Sequence, residues 1–502
     1  MLQRTLELVV RAWDAAHVEH KGAYSVERLQ QLHLFTQQDT KSLHETTRSH
    51  WLRMVSVTFG APLPCLAVAL LSDSMPLAPP EAGPRANGVF WIRSWLVMAC
   101  YTFAIFSLVL HCVPALPQRL LLLVPISAGI GAAHAALHFT VATLIGFPVP
   151  FSNLTLDIPW VMLIVETLWI YMGPECRSSS MVRLQLKKFV VALYAASSLA
   201  MVYPLFYFAF LTVKEYPHVQ ILLTLLVLPA IKLLEKLLLY HVTCHIPDLQ
   251  AVYLAFNIEV FNTLFVSSCV RSTTSIAVTA SLMAVDILST CAALYGLRDL
   301  MAHVDTLNAK MGTGVTREHM LDIAILIATC RQHEELEACK DTVTLDQTTL
   351  KLTSLFTMCA AIYVTAVYHL PNRMYFPYLR DMTESDLVTA VNSVLLYGAL
   401  QLLSFVLLIL ALSRRFQLTP DVQLRFTLQS EWKLVQALLT LWVVYVLQSS
   451  LDHGGAYAPA AIIRLDSSEG TQYQHTLTVL RRGMGAVGTD YTFKFEWLHK
   501  KT

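Results

Sequence analysis

SWLVMACYTFAIFSLVLHCVPALPQ, Ser94 to Gln118, runs for 25 residues without an Asp, Glu, Lys or Arg. A helix rising 1.5 Å per residue needs about 20 apolar residues to cross the hydrocarbon core of a bilayer. Immediately after Arg119, LLLLVPISAGIGAAHAALHFTVATLIGFPVPFSNLTL, Leu120 to Leu156, continues for 37 uncharged residues, enough for one span and a connection. Neither stretch alternates as a barrel strand would, and lipid offers no partner for unpaired backbone groups, so both read as transmembrane helices.

Working outward, five more charge-free runs have spanning length: Met54–Ser72 (19), Phe189–Val213 (25), Leu352–Asn372 (21), Leu387–Ser413 (27) and Leu434–Leu451 (18). Four further segments are apolar but interrupted. Ile158–Pro174 contains Glu166, Tyr216–Tyr240 contains Lys232, Glu235 and Lys236, Ala251–Val270 contains Glu259, and Ser272–Leu297 contains Asp286. Together they predict an all-α, polytopic membrane protein of about eleven spans, or ten if the 216–240 segment does not cross.

Composition agrees. Apolar residues make up 55% of the 502 and charged ones 14%, against about 25% charged in soluble chains. Mean hydropathy is +0.52. These values exclude a disordered chain, a coiled coil and a secreted disulfide scaffold. A net charge of +1 gives no electrostatic case for nucleic acid. Of ten cysteines, none lies in a segment assigned outside, so no disulfide framework is implied.

The positive-inside rule orients the map. With a cytosolic N-terminus and eleven spans, inner loops 113–119, 175–188, 241–250, 298–351 and 414–433 carry 15 Lys/Arg. Outer loops 73–93, 148–157, 214–216, 271–273 and 373–386 carry 6. The tail after Leu451 runs against this bias, with six Lys/Arg on the outer side. The domain plan is a cytosolic segment 1–53, eight spans over 54–297, a cytosolic loop 298–351, three spans over 352–451, and a tail 452–502. Residues 1–53 hold no signal peptide; Leu2, Leu6, Val9 and Trp13 mark an amphipathic helix, and Met320–Cys330 marks a second one in the long loop. Asn153-Leu154-Thr155 is the one N-glycosylation acceptor, in a loop placed outside. The map predicts no organelle.

Ionisable groups mid-bilayer cost about 2.5–3.5 kcal/mol on insertion scales and should face protein or water. Glu166, Glu259 and Asp286 stand near the middles of their spans, and Asn257, Glu259 and Asn262 suggest one polar face. Two readings compete: a cation or proton pathway, or acids hydrogen-bonded between helices to hold the bundle. At ~1.5 Å per residue, Glu259 lies ~18 Å before Arg271 and Asp286 ~22 Å after it, so antiparallel neighbours would bring them to similar depth. Lys232, Glu235 and Lys236 fall at i, i+3 and i+4, the spacing of a cluster that neutralises itself within one helix; a counter-charge for Glu259 or Asp286 is the other option.

His134 and His138 share a helix face, as do His241 and His245 with Cys244 and Asp248. Both spacings suit a metal, yet no ligand signature is complete, so the expected metal and cofactor are none. A membrane histidine is also a possible acyl-transfer base. There is no Walker A motif, nucleophile elbow, potassium-filter string or arginine-repeat voltage sensor.

Seven strings carry a resemblance: YSVERL (Tyr24–Leu29), PLPCL (Pro62–Leu66), MPLAPPEAGPRANGVFWIR (Met75–Arg93), MYFPYLRD (Met374–Asp381), VLLYGALQLLSF (Val394–Phe405), SEWKLVQALL (Ser430–Leu439) and DYTFKFEWL (Asp490–Leu498). Spread over most of the chain, they resemble an uncharacterised family of oomycete multi-pass transmembrane proteins. The resemblance implies the same many-helix bundle and carries no activity. The chain departs from that pattern at about Gly454–Gly488, some 35 residues that read as an insertion or a gene-model artefact, with a small outer domain as the alternative.

The expected function is a channel or an ion- or proton-coupled secondary transporter, with Glu166, Glu259 and Asp286 lining a polar route for a small ion or solute. The alternatives are a non-transporting receptor or scaffold, and a membrane-embedded acyltransferase-like enzyme using His134 or His138. The lipid bilayer is the one partner implied.

Overall fold

The computed structural model describes residues 60–149, 156–213, 216–272, 357–416 and 420–448 without interruption, with parts of 30–35 and 277–288 and single residues at 56, 152, 451 and 453. Among them every regular element is helical and no strand occurs.

Helix α1 (Leu63–Ser74) starts on Pro62 and Pro64, where a missing N–H costs nothing. Helices α2 (Gly88–Cys112) and α3 (Leu120–Ile145) form an antiparallel pair. Gly131 of α3 seats directly on the α2 backbone: a Cβ there would lie 2.9 Å from Ala99 N and from Trp95 O. Helix α4 (Asp157–Ser178) buries the row Trp160, Ile164, Leu168 and Met172 and breaks at Gly173, with φ +71°. Pro174 bars the preceding residue from helical dihedrals, and glycine takes the positive φ without strain.

Helices α5 (Ser180–Ser197) and α6 (Leu199–Thr212) abut at Ser198. Helix α7 runs through Pro217–Leu222, a π-helical turn at Leu223–Val227, and Leu228–Thr243. Helix α8 repeats that plan: Pro247–Leu254, a π turn at Ala255–Val260, then Phe261–Ser272. Helices α9 (Thr357–Tyr368), α10 (Glu384–Phe416), α11 (Pro420–Ser430) and α12 (Trp432–Gln448) follow, with short helical turns at Pro80–Ala82, Pro371–Tyr375 and Pro377–Arg380 in the connections.

In the bundle α2 packs on α3 and α12, α12 also on α1, α7 on α5, and α8 against α6, α10 and α12. Among the described residues four stretches are long and apolar enough to cross a membrane: Gly88–Cys112, Leu120–Ile145, Val252–Val270 and Glu384–Ser404. Leu63–Ser74, Thr357–Tyr368 and Trp432–Val446 are shorter apolar helices. Large apolar side chains such as Leu121, Leu144, Ile170, Met181, Leu205 and Leu234 stand outward, as expected where lipid replaces water.

Three predicted loops differ. Residues 175–188 are helical apart from Ser179, whose hydroxyl accepts from Val182 N at 3.5 Å as the cap of α5. The 241–250 loop shrinks to a turn at 244–246. In 414–433, α10 runs on to Phe416 and α11 follows. Charged residues mark where a chain leaves lipid; they do not end backbone hydrogen bonding. The 189–213 run, read as one span, passes through Ser198 as a single turn residue whose dihedrals stay helical (φ −61°, ψ −30°). Residues 298–351, 454–488 and most of 1–53 lie outside the described residues, as does most of 272–297.

Candidate functional site in the buried core helix

Val252–Val270 of α8 is the most enclosed of the four long apolar stretches, with 89% of it buried. Its π turn carries Asn257 and Glu259. A π turn holds one residue more than an α turn, is rare, and often accompanies a functional site.

Asn257, Glu259 and Asn262 do not form one face; each meets a different neighbour. Asn257 points to α12, where Trp442 Nε1 donates to its Oδ1 at 2.9 Å, while its own Nδ2 donates to the Tyr253 carbonyl at 2.7 Å. Asn262 points to α6, where the Tyr203 hydroxyl donates to its Oδ1 at 3.3 Å. Glu259 points to α7, with Lys232 Nζ 2.5 Å from its Oε2. The expected single polar face is therefore corrected: residues 257, 259 and 262 fan outward because α8 is surrounded.

Lys232 thus meets Glu259 across two helices, the less favoured of the two arrangements its spacing allowed. Glu235 is engaged elsewhere: the Ser198 hydroxyl, at the α5–α6 junction, lies 3.0 Å from both its carboxylate oxygens. Lys236 stands half-buried on the same helix. Lys232 and Glu259 keep 18% and 19% of their side-chain surface exposed, so their pair is enclosed without being sealed.

Glu166 is not brought to this place. It is exposed on α4, on the side of Met162, Val165 and Ile170, opposite the buried Trp160–Met172 row. It lines no route with Glu259. Asp286 and the acceptor Asn153 lie outside the described residues.

His134 and His138 are buried on α3 with ring centroids 6.2 Å apart. His138 abuts the rings of Phe90 and Trp91 at 5.7 and 5.2 Å, and His134 Nδ1 and His138 Nε2 have no hydrogen-bond partner. His241 is exposed, with Nδ1 2.9 Å from the Leu237 carbonyl. His245, in the α7–α8 turn, has its pKa lowered by burial, with the nearby Lys188 charge adding to the shift and a backbone contact at Val242 opposing it. Among the described residues no three His, Cys, Asp or Glu side chains are grouped to hold a metal.

Sequence reasoning missed a second polar centre, at the end of the bundle formed by 73–93. Arg93 Nη2 pairs with Asp73 Oδ1 at 2.6 Å, and the Tyr363 hydroxyl donates to Asp73 Oδ2 at 2.6 Å. Asn372 donates to the carbonyls of Asp73 and Met75 at 2.7 and 2.6 Å and accepts from Leu77 N at 2.9 Å. His453 Nε2 sits 2.9 Å from the Ala78 carbonyl, its ring stacked on Phe90. The available signal was Arg93 itself, set within the apolar run Val89–Trp95. At the opposite end His111 Nε2 lies 2.6 Å from Glu431 Oε2.

Neither a protein-family model, nor a curated protein, nor a solved structure matches this chain.

Proposed function

We propose that this chain is a multi-pass membrane protein of eleven spans with a cytosolic N-terminus, and that it moves a small ion, coupled or channel-like, through the Lys232–Glu259 site. The observation that carries the transport reading is that ion pair, set on a π turn of the most enclosed long apolar helix and still partly open. An intramembrane acid that faces a mobile partner inside the bundle is a functional candidate on energetic grounds. The three-acid route narrows here to one acid; Asp286 stays in the proposal only through its place in the sequence.

The helix directions support the span count. Phe261 of α8 meets Trp442 and then Tyr445 of α12, while Asn257 meets Trp442, so the two run parallel. Glu431 before α12 meets the end of α2, and His453 after it meets the start of α2. Helix α9 ends beside Asp73 through Tyr363 and Asn372. Helices α8 and α9 therefore run the same way, which requires an odd number of crossings between them; the 272–297 run supplies one. The seven-string resemblance to the oomycete membrane-protein family fits this plan and adds no activity.

A scaffold or receptor is the second reading. It is favoured by the Asn257 amide, bonded through both its oxygen and its nitrogen, and by Tyr203–Asn262, contacts that hold helices together without moving anything. No observation favours the acyltransferase reading, since the neighbours of His138 are aromatic rings.

Flux into proteoliposomes decides between the first two. Glu259→Gln keeps the hydrogen-bonding shape and removes the charge. The transport reading expects normal membrane abundance and abolished flux; retained flux would hand the pair to the scaffold reading.

A further inference from the structure

Two of the helix-joining pairs among the described residues, Arg93–Asp73 and Lys232–Glu259, differ in a way that assigns them different tasks. Arg93–Asp73 is sealed, with side-chain exposures of 3% and 0%, and Asp73 is held further by Tyr363. A guanidinium stays protonated at any physiological pH, so that pair is permanent. Lys232–Glu259 uses an ammonium, which can surrender a proton when its surroundings change, and both groups remain reachable at 18% and 19% exposure. Glu235, one turn further on, is only 6% exposed and already accepts from Ser198, so it is the fixed acid of the cluster.

Resting on the transport reading above, we propose that Lys232 is a tethered competitor for a monovalent cation at Glu259, and that the site exchanges one such cation for one proton. The cation enters against the Glu259 carboxylate as one Nζ–H bond of Lys232 breaks. The proton passes to water on that side, and the bonding electron pair stays on nitrogen. The neutral amine releases the carboxylate. When the cation departs on the other side, the amine takes a proton from water there and the ion pair re-forms. Nothing is oxidised or reduced, and the site carries the same total charge in both states, whatever fixed charges flank it. The low-dielectric setting that makes a net charge costly is what enforces the one-for-one ratio.

The test uses the full chain in proteoliposomes with the pH dye pyranine trapped inside. Sodium and lithium gradients are imposed in turn and cation uptake is counted directly, with the potential clamped by equal potassium and valinomycin. The exchange predicts protons moving opposite to the cation, one for one, with no effect of the clamp. Lys232→Arg keeps a cation against Glu259 that cannot deprotonate, so it should fold normally yet lose exchange by more than about tenfold. Lys232→Gln should pass cation without counter-moving protons. Cation flux uncoupled from protons in the wild type, or undiminished exchange in Lys232→Arg, overturns the exchange and leaves transport standing. If neither cation moves in the wild type, the transport reading falls and the exchange with it. The wild-type ratio stands as a test even if the arginine variant does not fold.

Discussion

Arg93 and Asp73, twenty positions apart, meet at 2.6 Å with almost no solvent on either side chain. The contact closes α1 onto α2 at the end where the 75–87 connection folds over them. Removing one partner of such a pair strands the other charge and costs about 3–5 kcal/mol, whereas removing both can be nearly neutral. Arg93→Met should therefore lower the unfolding temperature in detergent steeply, and Asp73→Asn combined with Arg93→Met should recover most of it. Equal losses in the single and double variants would show that Asp73 does not depend on Arg93.

Gly131 makes a sharper packing prediction. Its Cβ would meet Ala99 N and Trp95 O at 2.9 Å, and both are backbone atoms that cannot swing aside. Gly131→Ala should cost about 1–3 kcal/mol as overpacking. Gly129→Ala, two residues earlier with nothing within 4 Å of its Cβ, should be neutral or gain about 0.5–1 kcal/mol from helix propensity. Matching unfolding temperatures for the two variants would refute the close approach of α2 and α3.

Asp157, the first residue of α4, has its pKa raised by burial from 3.8 to about 7. An acid whose folded pKa exceeds its unfolded value favours the fold most below the unfolded value, and that contribution fades as pH rises through the folded one. Stability should thus fall between about pH 4 and pH 7 because the carboxyl must ionise while buried. Asp157→Asn, which cannot ionise, should remove that part of the slope. Parallel pH curves for the two proteins would mean the carboxyl is solvated.

Native Cys244 tests the orientation. It is exposed in the turn between α7 and α8, on the side assigned to the cytosol by the Lys/Arg count. In a chain whose other cysteines are alanine, Cys244 should ignore an impermeant maleimide in intact cells and react after permeabilisation. Labelling of intact cells would invert the map. Position 425, which also falls in an inner loop by sequence, is unsuitable as a probe because Arg425 is buried.

Helix existence was legible wherever an apolar run alone decides it: Ser94–Gln118 and Leu120–Leu156 lead directly to α2 and α3. Helix ends were not. Arg177, Arg183, Lys187 and Lys188 looked like a loop and are helical, because leaving lipid and leaving a helix are separate events. Side-chain direction was readable in one case and missed. Glu166 lies two residues from both Ile164 and Leu168, about half a helical turn from each, so the buried row already pointed it away from the core. The Lys232–Glu259 contact was not readable from the local spacing, which favoured pairing within α7. That choice depends on α8 lying beside α7 and on which way a π turn aims its side chains. Asp73 and Arg93 were overlooked because each sits at the rim of a run, where a charge ordinarily needs no explanation.

Both of these pairs join helices that are consecutive in the chain, α1 with α2 and α7 with α8. In a membrane protein that has a consequence for biogenesis. Each hairpin emerging from the ribosome brings its own counter-ion, so it can leave the aqueous phase as a neutral unit before any later helix exists. Among contacts that must wait for distant partners, Tyr363 on Asp73 and Trp442 on Asn257 are hydrogen bonds from uncharged donors, whereas Glu431 waits with its carboxylate for His111. For these two pairs the order of synthesis and the placement of charge are matched: the ions are cancelled within a newborn hairpin.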